Sequence, residues 1–294
     1  MKLSAPSPAK INLYLDVIGR RADGYHEIDT VFLPLDALAD TVSLETRPTP
    51  GIEVHCDAPG VPNDDRNLCW RAASAFAAAA GCEPRWRISI AKRIPVAAGL
   101  GGGSSNAATL LLLLHRAVSN SLDTASLMDL AAGLGADVPF FLNPCPSRAA
   151  GIGERLRPVP CRVALPIVLL NAGFPVSAAW TYRETDRTTR PAAPGADIVL
   201  NGLDRGDSAA IARGTYNALE FAVCRKFPLV EMMLEFLRAN GCQAARVSGS
   251  GPTVFGIFPG VDSAALLGAA RREFGDSIWT CACKAGTPSA GGPK

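Results

Sequence analysis

The chain has 294 residues, a formal net charge of +2 and 19 % charged residues. That length supports one large or two ordinary domains with a substantial core, and so little basic excess argues against a nucleic-acid-binding surface. The longest aliphatic run, Leu110–Leu114, is too short to cross a bilayer, and the proline-containing start MKLSAPSPAK lacks the apolar stretch of a signal peptide.

A cytoplasmic protein with no membrane partner is therefore expected. Nine cysteines fit that compartment. They stand singly except for Cys281-x-Cys283, and they read as free thiols rather than as a metal site or a disulfide framework.

In chain order, residues 9–17 alternate, with Ile11, Leu13, Leu15 and Val17 on one face, and predict a half-buried strand. Further strands are predicted at Thr30–Leu35, Thr41–Glu45, Ile52–His55 and Trp86–Ile90. A helix is predicted from Asn67 to Ala80, stopped by Gly81. The run ATLLLLLHRA predicts another after a glycine-rich turn, and Thr124–Leu134 a third, closed by Gly135. A turn at Gly135–Pro139 then leads into Phe140–Leu142. The Pro-, Arg- and Gly-rich stretch 144–160 reads as an inter-domain passage. Beyond it follow a buried strand at Val163–Leu170 and helices at Ala209–Arg213, Asn217–Cys224 and Leu229–Ala239. The unit ARVSGSGPTVFGIF reads as strand, glycine turn, strand, and Ser263–Phe274 as the last helix. Strands and helices do not alternate one for one, so the expected class is α+β in two domains, 1–157 and 158–284, with 285–294 as a disordered tail.

The most informative segment is Pro95, Val96, Ala97, Ala98, Gly99, Leu100, Gly101, Gly102, Gly103, Ser104 and Ser105, followed by Asn106. Four glycines and two hydroxyls at a helix start offer backbone N–H groups and the positive end of a helix dipole to a phosphate. A Walker A loop would end in Gly-Lys-Ser/Thr, but Ser104 follows Gly103. A dinucleotide fingerprint would need a third glycine at position 104. With no lysine in the loop, charge on a transferred phosphoryl group must be offset by Mg²⁺ and a lysine from another segment. No metal-ligand cluster is visible in the sequence, so Mg²⁺ is expected to be held chiefly by the nucleotide.

Three motifs, in order, resemble the GHMP kinase family: Pro8-Ala-Lys10-Ile-Asn12-Leu, the glycine segment itself, and Ser248-Gly-Ser-Gly-Pro252. The resemblance runs from Ala5 to about Lys284. It implies ATP as phosphate donor, an N-terminal domain like domain 2 of ribosomal protein S5, a C-terminal ferredoxin-like domain and an active site between them. Within the family, PSPAKINLYLDVIGRRADGYHEIDTVF, GADVPFF and RVSGSGPTVF resemble the branch that phosphorylates the 2-hydroxyl of a cytidine diphosphate-linked methylerythritol, on the non-mevalonate route to isoprenoid precursors. The DGYH element separates that branch from its relatives. The chain departs from the family at Asn143-Pro-Cys-Pro-Ser-Arg148, where a shorter, glycine-containing turn is expected.

The resemblance also implies roles. Asp137 matches the aspartate of the family's GADVP segment and is the expected general base; by itself it reads as a turn residue. Lys10 is placed beside it, where an ammonium favours the forming alkoxide; by itself it reads as a surface lysine. Asn12, on the same strand face, is an expected ligand of the substrate diphosphate or a strand-edge amide. Tyr25 and His26 are expected at the cytosine, with Tyr182 as a second aromatic wall and Trp180 as core. Ser104 and Ser105 are expected on phosphate or Mg²⁺. Asn67 and Lys92 are expected at the adenine, although a helix cap and an exposed lysine suit them equally. Gly249 and Gly251 are expected to let the C-terminal turn approach the ligand. Two competing readings remain: a kinase for another small alcohol such as homoserine or mevalonate, and a non-catalytic module that only binds nucleotide.

Overall fold

The computed structural model describes residues 1–119 and 121–286. The chain forms two compact units that are interleaved in sequence: one from 1–9, 39–96 and 101–144, the other from 10–38, 97–100 and the residues from 145 onward. Two long strands, β1 (Lys2–Arg20) and β2 (His26–Thr46), contribute residues to both.

β2 joins the two strands predicted at Thr30–Leu35 and Thr41–Glu45. Asp36 and Asp40 interrupt the apolar pattern between the two predicted strands. In the fold each carboxylate accepts backbone N–H groups from distant segments: Asp36 from Lys284 (2.8 Å), and Asp40 from Arg93 (2.7 Å) and Ile94 (2.8 Å). Polar groups satisfied in this way sit inside a strand at little cost.

In the first unit, β3 (Gly51–Cys56) runs parallel to β4 (Arg85–Ala91), and β4 runs antiparallel to the end of β2 with Val42 opposite Ile90. α1 (Leu68–Ala80) buries Cys69, Ala72, Ala73, Phe76 and Ala77, a single stripe at helical spacing. Asn67 caps its start and Gly81, in the left-handed region, ends it. α2 (Gly102–Ala117) is buried on most sides and packs against α1. α3 (Thr124–Leu134) follows. α4 (Val138–Leu142) is a short helix where the sequence predicted a turn and an apolar run. Pro139 suits its first turn, where its missing N–H costs nothing.

In the second unit the 144–160 passage carries a hairpin, β5 (Ser147–Ala150) and β6 (Arg155–Pro158), and β5 pairs with β2 at Thr30–Phe32. The departure at 143–148 thus leads straight into a strand, where Arg148 is held by both oxygens of Asp29 at 2.8 Å. β7 (Leu165–Asn171) is followed by three helices: α5 (Ala178–Thr185), α6 (Ala196–Arg205) and α7 (Ser208–Gly214). The chain continues through β8 (Tyr216–Asn217), α8 (Glu220–Lys226), α9 (Pro228–Ala239), β9 (Ala244–Val247), β10 (Val254–Ile257), α10 (Ser263–Phe274) and β11 (Trp279–Ala285). The antiparallel order is β11-β7-β10-β9. Helix α9 turns Val230, Met233, Leu234 and Leu237 onto Val168, Leu170, Val247 and Val254 to make the core.

The helix predicted at Asn217–Cys224 starts later, because Tyr216 and Asn217 pair with Tyr14 and Leu15 of β1. α5, α6 and β11 were not predicted. α5 buries only Thr181 and Thr185, so it has no apolar period. Of the tail expected at 285–294, Ala285 closes β11 opposite Leu35 and Gly286 is buried; the rest lies outside the described residues.

Candidate active site

The glycine segment belongs to the helix more than to a loop. Gly101, with φ 73°, is the N-cap of α2, and Gly102, Gly103, Ser104 and Ser105 form its first turn. Gly101 brings no capping side chain, and the first intrahelical bond, from Ser105 N to Gly101 O, is 2.9 Å. The N–H groups of Gly102, Gly103 and Ser104, which precede that bond, therefore have no intrahelical acceptor, the arrangement that receives an anion. A Cβ on Gly102 would stand 3.0 Å from Ile94 Cγ2 and from Lys92 Nζ, whereas one on Gly103 would meet nothing within 4 Å. Ser104 is half-buried; Ser105 is fully buried and its Oγ accepts from Ser7 at 2.8 Å.

Lys92 is not on the surface. Its ammonium pairs with the buried Asp40 carboxylate and lies 3.3 Å from Asn106 Oδ1. Asn67 spends its amide on the chain: Oδ1 accepts from Cys69 N (2.9 Å) and Nδ2 donates to Pro62 O (2.7 Å). Pro95 and Val96 lead into the segment, with Val96 exposed. Asp137 is the N-cap residue of α4 and is half-buried, and its side chain makes no capping hydrogen bond.

In the second unit, Ala97 (φ 51°) and Gly99 (φ 78°) are left-handed. Thr253 N donates to Ala98 O (3.3 Å), Ser248 Oγ to Gly99 O (3.0 Å) and Lys10 N to Leu100 O (3.0 Å). A Cβ on Gly99 would lie 2.0 Å from Ser248 O. Only glycine permits this backbone approach. Gly249 (φ 54°) faces Asn12 Oδ1, Gly99 O and Lys10 Nζ, and Gly251 (φ 71°) packs on Val247. Asn217 holds the same turn, donating to Val247 O and Gly249 O at 2.8 Å each.

Lys10 and Asn12, two apart on β1, share a face as expected. Lys10 Nζ donates to Asn12 Oδ1 (2.7 Å), Asn12 Nδ2 to Thr30 Oγ1 (2.8 Å), and Thr30 Oγ1 to Tyr14 O (2.6 Å). The Lys10 ammonium also lies 4.9 Å from the centre of the Phe32 ring. Lys10 is 4 % exposed and Asn12 2 %, so the chain orients a buried ammonium from below.

His26 is buried against two residues of the α5 segment. Its ring stacks on Tyr182 with centroids 5.2 Å apart and an interplanar angle of 23°, and its Nε2 lies 2.9 Å from Asp186 Oδ1. Tyr25 is 61 % exposed, in a turn where Asp23 Oδ1 accepts its N–H at 3.1 Å. Trp180 is half-buried, edge-on to Phe227 and under Lys226 Nζ at 4.2 Å. Burial, then Asp16 and Asp29, pushes the nearby Tyr14 hydroxyl up to about 12, so it stays protonated.

A chain of 272 aligned residues, 92 % of this protein, is 42 % identical to a 4-diphosphocytidyl-2-C-methyl-D-erythritol kinase of Geobacter sp. (strain M21), and covers 95 % of that relative. The model of the GHMP kinases N terminal domain matches residues 67–143 and that of the GHMP kinases C terminal matches 200–276. The chain belongs to the GHMP kinase family. A second relative of the same name, from Citrifermentans bemidjiense, is 41 % identical over 95 % of this chain and 99 % of its own. A crystal structure of 4-(cytidine 5'-diphospho)-2C-methyl-D-erythritol kinase matches with a TM-score of 0.80 at 37 % identity, over 97 % of this chain and all of that one. A homoserine kinase from Cytophaga hutchinsonii, at 16 % identity and a TM-score of 0.74, shares the fold. The two-domain GHMP kinase fold with mixed α and β content is thus established.

Several polar residues around this GHMP kinase's site escaped the sequence analysis. Asp186 lies 160 residues from His26 and Thr30 18 residues from Asn12, and Asp40 carries no motif. Asn217 resembled the start of a helix. Only tertiary proximity identifies such residues.

Proposed function

We propose that this GHMP kinase transfers the γ-phosphoryl group of ATP to the 2-hydroxyl of 4-diphosphocytidyl-2-C-methyl-D-erythritol. The observation that carries the substrate assignment is the buried His26, stacked under Tyr182 and bonded to Asp186. A ring face and a fixed imidazole suit a flat heterocycle with a hydrogen-bonding edge, and neither homoserine nor mevalonate offers one. Tyr25 adds an exposed ring beside it. The relatives at about 40 % identity carry the same substrate in their name.

The ATP phosphates lie on the N–H groups of Gly102, Gly103 and Ser104, on the positive end of α2. Mg²⁺ suits this donor set only as a companion of the nucleotide, because among the described residues no three His, Cys, Asp or Glu side chains converge. The Ser104 hydroxyl is the protein oxygen offered to it, and the ion would neutralise phosphate charge. Asp137 takes the proton of the tertiary hydroxyl as its oxygen bonds to the γ-phosphorus. The bond from that phosphorus to the bridging oxygen breaks, and ADP leaves with its electron pair. Lys10, fixed by Asn12, offsets the negative charge that develops.

A coupled assay of ADP release tests this directly. ADP formation that depends on the cytidine substrate, with none from homoserine or mevalonate, is expected. Turnover of either alcohol without the cytidine compound would overturn the substrate assignment, and ATP binding without transfer to any of the three would leave a nucleotide-binding module.

A further inference from the structure

We infer that Asp40 is a positioning residue for ATP: with Lys92 it forms a buried, charge-balanced clamp that joins the two ends of the glycine segment. The inference rests on the reading of that segment as the ATP phosphate site. Asp40 is 0 % exposed, and all four donors it accepts from flank the segment. Its Oδ1 takes the N–H groups of Arg93 (2.7 Å) and Ile94 (2.8 Å), just before Pro95. Its Oδ2 takes the Lys92 ammonium and Asn106 Nδ2 (2.9 Å), the latter in the first turns of α2. Asn106 Nδ2 also reaches Ser7 Oγ (2.9 Å), which in turn donates to Ser105 Oγ (2.8 Å). One carboxylate from β2 therefore bonds both the approach to the segment and the helix that leaves it.

Stability alone does not account for this. A buried ion pair is generally no better than well-packed apolar side chains for holding a fold, whereas losing one partner strands a charge. A satisfied buried network instead selects a single geometry. Here that geometry is the placement of the first-turn N–H groups. The charges matter as well. A buried carboxylate near the start of α2 opposes a phosphate, and the Lys92 ammonium, 3.0 Å from where a Cβ of Gly102 would stand, cancels it.

The test uses Lys92→Met, Asn106→Ala and the double variant D40N/K92M in the full chain. Magnesium–ADP is titrated calorimetrically without acceptor, alongside thermal melts and the KM for the cytidine substrate. Lys92→Met and Asn106→Ala should each weaken ADP binding, on the order of 10- to 100-fold, by misplacing the N–H groups or stranding the carboxylate. The cytidine KM should not change. D40N/K92M strands no charge and keeps an acceptor for Arg93 and Ile94, so it should recover most of the affinity lost in Lys92→Met, and it keeps the test valid where that single variant does not fold. Lower melting temperatures with wild-type ADP affinity in Asn106→Ala, or in a folded Lys92→Met, would reduce the clamp to a structural feature and overturn the inference. A double variant that binds ADP no better than a folded Lys92→Met would overturn the charge balance. A wild-type chain that binds no ADP would overturn the ATP reading itself, a result distinct from either.

Discussion

Asp137 and His26 illustrate two ways in which a single side chain acquires a role. Asp137 stands at the N-cap position of α4, and its side chain makes no capping hydrogen bond there. Asp137→Asn should lower kcat by roughly 10²–10⁴, the usual share of a general base, with ATP affinity nearly unchanged; near-normal turnover would remove it from that role. His26 owes its setting to Asp186 and Tyr182. The Asp186 carboxylate, 2.9 Å from Nε2, fixes the orientation of the imidazole ring. His26→Ala should raise KM for the cytidine substrate and leave KM for ATP alone, and steady-state kinetics with each substrate varied in turn would show an unchanged cytidine KM if His26 were only packing.

The elements around the glycine segment explain which of its glycines serve the protein. Gly99 is left-handed and its missing Cβ makes room for Ser248 O. Gly99→Ala should destabilise the fold by roughly 2–5 kcal/mol from the backbone conformation and the overlap together, as read from denaturant midpoints. Gly103 is different. Nothing within 4 Å would meet its Cβ, so packing does not require glycine there. Gly103→Ala should leave stability intact or raise it by up to about 1 kcal/mol through helix propensity, while weakening ATP binding because the added methyl stands at the exposed start of α2. Equal losses of stability in the two variants would contradict this division. α5 shows why some elements were invisible in the sequence. Its two buried threonines return their hydroxyls to the carbonyls four residues earlier, Thr181 to Ser177 (3.0 Å) and Thr185 to Thr181 (2.8 Å). Such a helix has no apolar stripe to detect.

For the whole molecule, Glu220 is the clearest source of pH dependence. Burial raises its carboxyl above the ordinary value of 4.5, and Arg246, the Val247 N–H and Arg238 only partly oppose that. The folded state therefore binds this proton more tightly than the unfolded state does. The stability it contributes is present below the unfolded carboxylate range and is lost as pH rises through the folded pKa, by at most about 1.4 kcal/mol per pH unit. Glu220→Gln should flatten that decline, so its denaturation midpoint should gain on the wild type between pH 4.5 and neutrality. A constant difference across that interval would show that the carboxyl does not titrate with folding. The nine cysteines are all free thiols, so no disulfide contributes to this balance.

Much of this was decided locally. The glycine-rich helix start, helix stripes, caps and the motifs of the family depend on residues close in sequence, because N–H presentation, helical spacing and left-handed turns are properties of short segments. Pairing at a distance was not. The union of two predicted strands into β2, the pairing of β5 with β2, the Asp186–His26 bond and the joining of both ends of the glycine segment on Asp40 all depend on partners from 52 to 248 residues apart in the chain, where polar groups that look like interruptions are satisfied by segments that sequence alone does not bring near. Gly99 needed both: its sequence context marked a tight turn, and only the fold showed that the turn presses on Ser248.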